Sequence, residues 1–208
     1  MKNLKEVIKM KDKTKKEIEQ RLKVGLFGGS FNPVQRGHMK IAEEVLKERI
    51  VDEVWFIPCG NHAFGKKLAS VENRINMLKL AIKSNKKMKI IDFEIKRKEK
   101  SYTYETLKYL KQNYPHEFYF IIGSDIVKDF GKWHALDYIK KNVEFIVAMR
   151  PGYKISGKLS FKVKNILALN ENCSSTDVRN LVSSGKSISE FVTKEVEEYI
   201  LKEGLYNG

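Results

Sequence analysis

The sequence has little cysteine and no long apolar run. Among its 208 residues, the two cysteines, Cys59 and Cys173, lie far apart and form no C-x-x-C pair. We therefore expect free thiols in a reducing compartment rather than a disulfide. No apolar stretch is long enough to cross a bilayer, and the first residues lack the apolar core of a secretory signal. These absences predict a cytoplasmic protein that has no membrane partner.

Arginine is scarce although the chain is strongly basic. Lysine and arginine total 40 against 26 acidic residues, which gives a formal charge of +14, but only seven of the 40 are arginines. Nucleic-acid recognition uses the planar arginine fork and interleaved aromatic residues, and the sequence shows no such stripe. Lysines spread over helix faces and loops favour a solvated surface. We expect no nucleic-acid partner, although the charge would attract a small anionic substrate.

Histidine is also rare, with four residues in the chain. His62, His116 and His134 have no spacing that would hold a metal ion together. The sequence therefore predicts no protein-bound zinc.

Apolar stretches alternate with amphipathic segments from Val24 onward. The first 22 residues have few apolar positions and predict a charged helical arm or a disordered extension, followed by one domain at 23–208. Strands separated by helices imply right-handed β-α-β units and a mostly parallel sheet, which binds ligands at the carboxyl ends of its strands. The predicted strands are VGLFGG, EVWFIP, MKIIDFEI, FYFIIG, VEFIVAMR and NILAL.

The most informative segment is VGLFGGSFNPVQRGH, residues 24–38. A hydrophobic strand enters a glycine pair, a turn follows, and Gly37 and His38 open a helix, so backbone N–H groups can face a phosphate. An ordinary β-α turn would explain the glycines equally well. His38, however, would be placed to hydrogen-bond an α-phosphate and to stabilise charge as pyrophosphate leaves. The candidate nucleotide-binding residues here are Gly28, Gly29, Ser30, Phe31, Asn32 and Gly37.

A second corner is predicted at SSTDVR, residues 174–179. Ser174 and Ser175 stand at the start of a helix, where hydroxyl and N–H groups suit phosphate oxygens. Arg179 lies one turn into that helix and can reach the same anion with a forked donor. Taken alone, a capping box with a surface arginine would explain this pattern as well.

Four ordered motifs resemble the nucleotidyltransferases that carry the H-x-G-H motif, and among them the nicotinate and nicotinamide mononucleotide adenylyltransferases. The motifs are GGSFNPVQRGH, SYTYETL, GSDIVKDFGKW and CSSTDVR, and the likeness runs from about Val24 to Tyr206. The resemblance implies a Rossmann-like, doubly wound, mostly parallel sheet in a three-layer α/β/α fold with a C-terminal helical portion. It also implies adenylyl transfer from ATP to nicotinate mononucleotide in NAD biosynthesis, which yields deamido-NAD and pyrophosphate, with Mg²⁺ carried by ATP.

The resemblance also assigns roles around the phosphates. His38 would contact the α-phosphate, Gln35 would make an auxiliary phosphate contact, and Arg179 with Ser174 and Ser175 would hold the β- and γ-phosphates. Arg150 is a further candidate phosphate contact, and a surface arginine is the plainer interpretation.

For the rest of the two substrates, Gly123, Ser124 and Asp125 would form a nucleotide-contacting turn, with Asp125 accepting hydrogen bonds from ribose. The resemblance places Trp133 on the pyridine ring with Thr103 and Tyr104 nearby, whereas a core tryptophan is the plainer interpretation. Lys66 or Lys67 would meet the mononucleotide phosphate.

Gln35 departs from the family pattern, because it stands where the first motif histidine is expected. Glutamine carries no charge, so a charge-assisted bond worth about 1–2 kcal/mol would be lost, and we expect a slower or more metal-dependent enzyme. Three other functions stay open: an enzyme that prefers nicotinamide mononucleotide or accepts both, an inactive nucleotide-binding regulator, and a basic nucleic-acid binder. A homo-oligomer also stays open.

Overall fold

The chain folds as a six-stranded sheet with helices on both faces. The computed structural model describes residues 21–60, 68–97, 102–152, 159–168 and 174–207. The strands are β1 Lys23–Gly29, β2 Glu53–Pro58, β3 Met88–Ile90, β4 Glu117–Gly123, β5 Glu144–Met149 and β6 Val163–Ala168. The helices are α1 Arg36–Lys47, α2 Val71–Ile82, α3 Thr103–Asn113, α4 Ser124–Val127, α5 Leu136–Asn142, α6 Ser175–Ser183 and α7 Lys194–Lys202, with a 3-10 turn at Phe130–Lys132.

The sheet has the strand order β3-β2-β1-β4-β5-β6, and each of these pairs is parallel. The chain builds outward from β1 through β2 to β3, returns to place β4 on the other side of β1, and then builds outward again. The order therefore reverses between β1 and β4, where the loops leaving the two strands diverge and open a crevice. This arrangement confirms the predicted doubly wound α/β fold.

Two separate apolar cores lie on the two faces of the sheet. The alternation of side chains along a strand sends Val24 and Leu26 of β1 into one core and Phe27 into the other. Helices α1, α2, α6 and α7 cover the Phe27 face, and α3, α5 and the 3-10 turn cover the opposite face. The three layers predicted from the sequence are therefore present.

The prediction of a strand over MKIIDFEI was too long, because β3 ends at Ile90. The next residue still bonds to the sheet through Ile91 N–H and Phe56 O at 2.9 Å. The chain then turns, with Lys96 N–H donating to Asp92 O at 3.1 Å and the Lys96 ammonium 2.7 Å from the Asp92 carboxylate. A local turn has replaced the sheet ladder at this edge.

Both ends of the described chain agree with simple capping and pairing rules. Gly204 follows α7 with φ +59°, a left-handed conformation that glycine adopts without strain. At the other end, Leu22 O accepts from Glu117 N–H at 2.8 Å, so the fold includes Leu22. Nearly all of the predicted arm at 1–22 lies outside the described residues.

In the described part of the chain, no helix has the length and apolar character that a bilayer span requires.

Candidate active site

A cavity of about 790 Å³ opens at the carboxyl ends of β1 and β4, beside the switch point. Its volume lies in the range of sites that enclose a small molecule. The cavity brings together the glycine-rich corner, the serine-arginine corner and the turn after β4. The predicted site residues that line it are Gly28, Gly29, Ser30, His38, Thr103, Gly123, Asp125, Trp133, Arg150, Ser175 and Arg179.

The glycine-rich corner presents bare backbone to the cavity at Gly28. A β-carbon built on Gly28 would have no atom within 4 Å, and the residue lines the cavity. Space that a side chain would otherwise fill is thus left for a ligand to approach the main chain closely.

Three carbonyl groups of the loop after β1 are held by side chains from other elements. The bonds are Arg74 Nη1 to Ser30 O at 2.9 Å, Arg179 Nη1 to Asn32 O at 2.8 Å and Ser175 Oγ to Pro33 O at 2.9 Å. Two of the donors are cationic and offset the negative ends of carbonyl dipoles that would repel a phosphate. The same bonds tie α6 directly to the glycine-rich corner.

Phe31 and Asn32 support the loop from beneath, since each side chain is only 1% exposed. The Phe31 ring packs edge-on against the His38 ring, with centroids 5.2 Å apart. Asn32 Oδ1 accepts from Ala69 N–H at 3.0 Å and from the Tyr206 hydroxyl at 2.9 Å. Direct nucleotide contacts by Phe31 and Asn32 stay predictions, whereas their packing roles are visible.

His38 faces the cavity as a neutral imidazole. It is the third residue of α1, and its Nδ1 accepts from Gln35 N–H at 3.1 Å, so the ring proton is on Nε2. Burial, followed by the Arg150 charge, lowers the pKa of His38 to about 3. At neutral pH the ring is therefore a hydrogen-bond donor without charge.

Gln35 caps α1 and is 3% exposed. Its side-chain oxygen accepts from Gly37 N–H, and a β-carbon on Gly37 would come within 2.7 Å of that oxygen. Gly37 thus leaves room for the cap. Among the described residues, neither Gln35 nor Gly37 lines the cavity. The auxiliary phosphate contact of Gln35 stays a prediction.

The second corner begins with a capping box on α6. Ser174 Oγ accepts from Asp177 N–H at 3.2 Å, and Asp177 Oδ2 accepts from Ser174 N–H at 3.0 Å. Hydrogen bonds from the Ser174 hydroxyl and backbone lower the pKa of Asp177. Ser174 is the N-cap and Ser175 the first helical residue, so both serines lie at the start of the helix, as predicted, and only the first caps it.

Arg179 and Thr176 face the cavity from the same helix. Arg179 Nη1 also donates to Ser175 O at 3.1 Å, and Nη2 to Thr176 Oγ1 at 3.1 Å, so the guanidinium is fixed on several sides. Thr176 was absent from the predicted site. The sequence did offer a signal for Thr176. It is the second residue of a helix whose first turn was predicted to bind phosphate.

The turn after β4 forms the third wall. Gly123 has no side chain because a β-carbon there would collide with the Asp125 carboxylate. Arg150 N–H donates to Ser124 Oγ at 2.9 Å, and Arg150 Nη1 lies 3.4 Å from Asp125 Oδ2. Asp125 Oδ1 is buried with no hydrogen-bond partner among the described residues. A buried acceptor of this kind ordinarily has a donor.

Trp133 both lines the cavity and packs into the core, so its two interpretations are compatible. Its ring centroid lies 5.2 Å from that of Phe130. Thr103, the first residue of α3, also lines the cavity. Tyr104 instead lies beside His134, with ring centroids 5.2 Å apart, and among the described residues it is not part of the cavity wall.

Glu94 and Cys59 line the cavity and were not predicted. Glu94 accepts from Thr106 Oγ1 at 2.8 Å, and burial raises the pKa of its carboxyl group. Burial likewise raises the pKa of the Cys59 thiol. Glu94 was missed because the strand predicted over MKIIDFEI included it.

Lys66 and Lys67 lie outside the described residues. Within those described, no group of three His, Cys, Asp or Glu side chains could hold a metal.

Comparison with known proteins gives a consistent result. The family model described as Cytidylyltransferase-like matches residues 26–181. A probable nicotinate-nucleotide adenylyltransferase of Shouchella clausii is 39% identical over 187 residues, which cover 88% of this chain and 96% of that protein. The nicotinate-nucleotide adenylyltransferase of Bacillus subtilis is 35% identical over 189 residues, which cover 89% of this chain and 99% of that protein.

A solved structure is also similar over nearly the whole fold. It is the Plasmodium falciparum nicotinic acid mononucleotide adenylyltransferase complexed with NaAD, with a TM-score of 0.79 and 25% identity. The match covers 89% of this chain and 97% of that one. The chain therefore belongs to the Cytidylyltransferase-like nucleotidyltransferases and, within them, to the nicotinate-nucleotide adenylyltransferase family.

Proposed function

We propose that the chain transfers the adenylyl group of MgATP to nicotinate mononucleotide and releases deamido-NAD and pyrophosphate. This proposal depends on one observation: both phosphate corners, the Asp125 turn and Trp133 line the same cavity. Family membership supports the choice of reaction.

The reaction is an in-line displacement at the α-phosphorus. A 5′-phosphate oxygen of the mononucleotide forms a bond to this atom, and the bond to the bridging oxygen breaks, with its electron pair leaving on pyrophosphate. The nucleophile is already an anion, so neither a covalent enzyme intermediate nor a general base is needed. Catalysis then depends on positioning and on stabilising charge.

In this proposal His38 donates its Nε2–H to an α-phosphate oxygen. The Nδ1 bond to Gln35 N–H fixes the tautomer and aims the opposite nitrogen into the cavity. The neutral ring supplies a directed hydrogen bond, so positive charge must come from Arg150, Arg179 and the magnesium that accompanies ATP. Gln35 contributes mainly through its cap and makes an auxiliary phosphate contact.

The β- and γ-phosphates lie at the start of α6 in our proposal. Arg179 provides a guanidinium for these oxygens, and Ser174 and Ser175 provide the start of the helix with its N-terminal N–H groups, while the two serine hydroxyls donate to Asp177 Oδ2 and Pro33 O. Because Ser175 and Arg179 also bond the loop after β1, the triphosphate binds between two corners whose relative position is fixed.

The remaining parts of the substrates follow from the other walls. Asp125, whose Oδ1 has no hydrogen-bond partner among the described residues, accepts a ribose hydroxyl. Trp133 stacks on the pyridine ring with Thr103 and Tyr104 near it. Lys66 or Lys67 meets the phosphate of the mononucleotide.

The deciding experiment is pyrophosphate release from MgATP with each pyridine mononucleotide in turn, with chromatography of the dinucleotide product. We expect release with nicotinate mononucleotide and formation of deamido-NAD. Equal or faster release with nicotinamide mononucleotide would show the other or a dual specificity. ATP binding without release from either substrate would show a regulator that has lost its activity.

We further propose that the protein acts in the cytoplasm and has no nucleic-acid partner. The free thiol of Cys59 suits a reducing compartment. A salt titration of RNA retention tests the second point, since a true nucleic-acid binder shows a steep logarithmic dependence and a merely basic surface shows weak retention.

A further inference from the structure

Asn32 joins four separate parts of the chain. Its backbone oxygen accepts from Arg179 of α6 at 2.8 Å, while its side-chain oxygen accepts from Ala69 N–H at 3.0 Å and from the Tyr206 hydroxyl at 2.9 Å. Ala69 directly follows Leu68, which lines the cavity. With 1% exposure, Asn32 is shielded from water that could replace these bonds. The phosphate loop is therefore positioned in part by the C-terminal segment.

Tyr206, whose hydroxyl makes this bond, has an uncommon backbone conformation. Its φ is +66°, in the left-handed region that a bulky residue rarely adopts. Burial raises the pKa of the phenol, while the nearby Arg179 and Arg74 charges oppose that rise. The hydroxyl is therefore protonated at neutral pH, and it bonds a loop whose carbonyls are held by Arg74 and Arg179.

We propose that Tyr206 is a positioning residue for the ATP triphosphate, which acts through Asn32 to set the distance between the loop after β1 and Arg179. This inference rests on the proposed function for the identity of the ligand. It assigns to a C-terminal side chain, outside the cavity wall in the described structure, a role in ATP binding and turnover.

Removal of the hydroxyl should disturb geometry more than folding. Asn32 Oδ1 has two lone pairs, and the Ala69 bond would keep it satisfied after the Tyr206 bond is lost. The amide would then be free to tilt toward Ala69, and the Asn32 backbone would shift with it. Because Arg179 donates to that backbone, the position of the serine-arginine corner relative to the glycine-rich corner would change.

Tyr199 offers a matched control on α7. Its hydroxyl donates to Asn73 Oδ1 at 2.9 Å and accepts from Asn76 Nδ2 at 3.1 Å. These partners lie on α2 and do not belong to the phosphate loop. Tyr199→Phe thus removes the same group from the same kind of environment, without touching Asn32.

The experiment compares Tyr206→Phe and Tyr199→Phe in the full chain. Steady-state kinetics are measured for each substrate, and affinity for a non-hydrolysable ATP analogue is measured by titration calorimetry, well below both melting temperatures. We expect Tyr206→Phe to lower kcat/KM for MgATP about fivefold, the effect of one net hydrogen bond. We expect its KM for the mononucleotide to stay unchanged, and Tyr199→Phe to match wild type in both parameters.

A second comparison isolates the path through Asn32. In an Asn32→Ala background, Tyr206→Phe should have no further effect, because the acceptor is gone. Additive effects of the two substitutions would overturn the proposal, and so would unchanged ATP parameters in Tyr206→Phe or an equal loss in Tyr199→Phe. If wild type releases no pyrophosphate, the proposed reaction fails, while the calorimetric comparison still tests the role of Tyr206.

Discussion

The two ends of the parallel sheet both carry positive charge, but they are built differently. At the carboxyl ends of the strands, the cavity of about 790 Å³ is bounded by glycine-containing turns and by the start of α6. At the amino ends of β4 and β5, a smaller pocket of about 270 Å³ contains more cationic groups. Its charged residues and histidine are Arg21, Lys111, His116, Glu117, Lys140, Lys141, Glu144 and Lys162.

The difference lies in how the charges are held. Arg179 makes hydrogen bonds to Asn32, Ser175 and Thr176, so its guanidinium has a fixed direction. Lys111 and Lys162 are exposed, and Lys111 is seen to bond only the Asn142 side chain, at 2.8 Å, among the described contacts. A count of basic residues would therefore locate the wrong end of the sheet. Donors held in place beside glycine backbone that faces the cavity distinguish this end of the sheet from a solvated basic surface.

The largest expected effect comes from His38→Ala. Loss of the Nε2–H donor should lower kcat about a hundredfold or more, because one directed donor to developing charge is worth that much. Pyrophosphate release measures the change, and the melting temperature shows that the fold is kept. The matched change at the opposite end, His116→Ala, should leave kcat as in wild type. A near-normal rate in His38→Ala would remove His38 from the mechanism.

The pH profile gives an independent check on the same residue. The pKa of His38 is lowered to about 3 from an ordinary value of 6.5, so in the free enzyme the ring stays neutral throughout pH 5 to 8. Because kcat/KM for ATP reports ionisations of the free enzyme, His38 should contribute no inflection in this range. A clear step near pH 6.5 that His38→Ala abolishes would contradict the neutral donor.

Arg179→Lys is expected to have the next largest effect. Lysine keeps the charge but loses the fork that reaches Asn32 O and Thr176 together, so kcat/KM for MgATP should fall about tenfold. The measurement is a saturation curve in MgATP at fixed mononucleotide. The matched control is Arg21→Lys, which also keeps the charge but lies at the amino ends of the strands. It should give the wild-type saturation curve. Equal curves for both variants would mean that charge alone suffices at α6.

Trp133 should affect one substrate more than the other. Trp133→Ala removes the stacking surface and should raise KM for the mononucleotide about five- to tenfold, with KM for ATP little changed. The aromatic variant Trp133→Phe should recover most of the loss. An equal rise in both KM values would indicate that the ring acts through the core it shares with Phe130.

The smallest effect is expected from the basic pocket. Lys111→Ala combined with Lys162→Ala removes two of its exposed charges and should change kcat/KM for MgATP by less than about twofold at physiological salt, since exposed charges are screened. The control is the same assay at low salt, where a small loss of electrostatic attraction is allowed. A large loss at physiological salt would make the two ends functionally linked.

The sequence predicted the layers and half of the residues that line the cavity, because those features depend on local patterns. Alternating apolar strands and helices determine a parallel sheet, and glycines and serines mark the loops at its carboxyl end, so Gly28, Asp125 and Arg179 could be placed on one cavity. Sequence spacing cannot show which polar residues face inward. Nucleotide contact by Asn32 stays a prediction, and nothing in the sequence indicated that its buried side chain bonds Ala69 and Tyr206.

Glu94 was missed for a different reason. It was assigned to a strand by its apolar neighbours, but a turn after Ile90 brings it to the cavity wall. The turn depends on an edge strand that ends early, a matter of long-range pairing. Tyr206 was likewise invisible, because its bond to Asn32 joins residues separated by 174 positions.

The central position of β1 in the sheet has a consequence for how the protein unfolds. β1 is hydrogen-bonded to β2 on one side and β4 on the other, whereas α6 is tied to the loop after β1 by the side chains of Ser175 and Arg179. Amide protons of β1 will exchange with solvent only when the whole sheet opens, and those of α6 will exchange through smaller, more frequent openings. Warming should therefore abolish activity while the sheet is still intact. A compound that links α6 to the loop after β1 should slow amide exchange in α6.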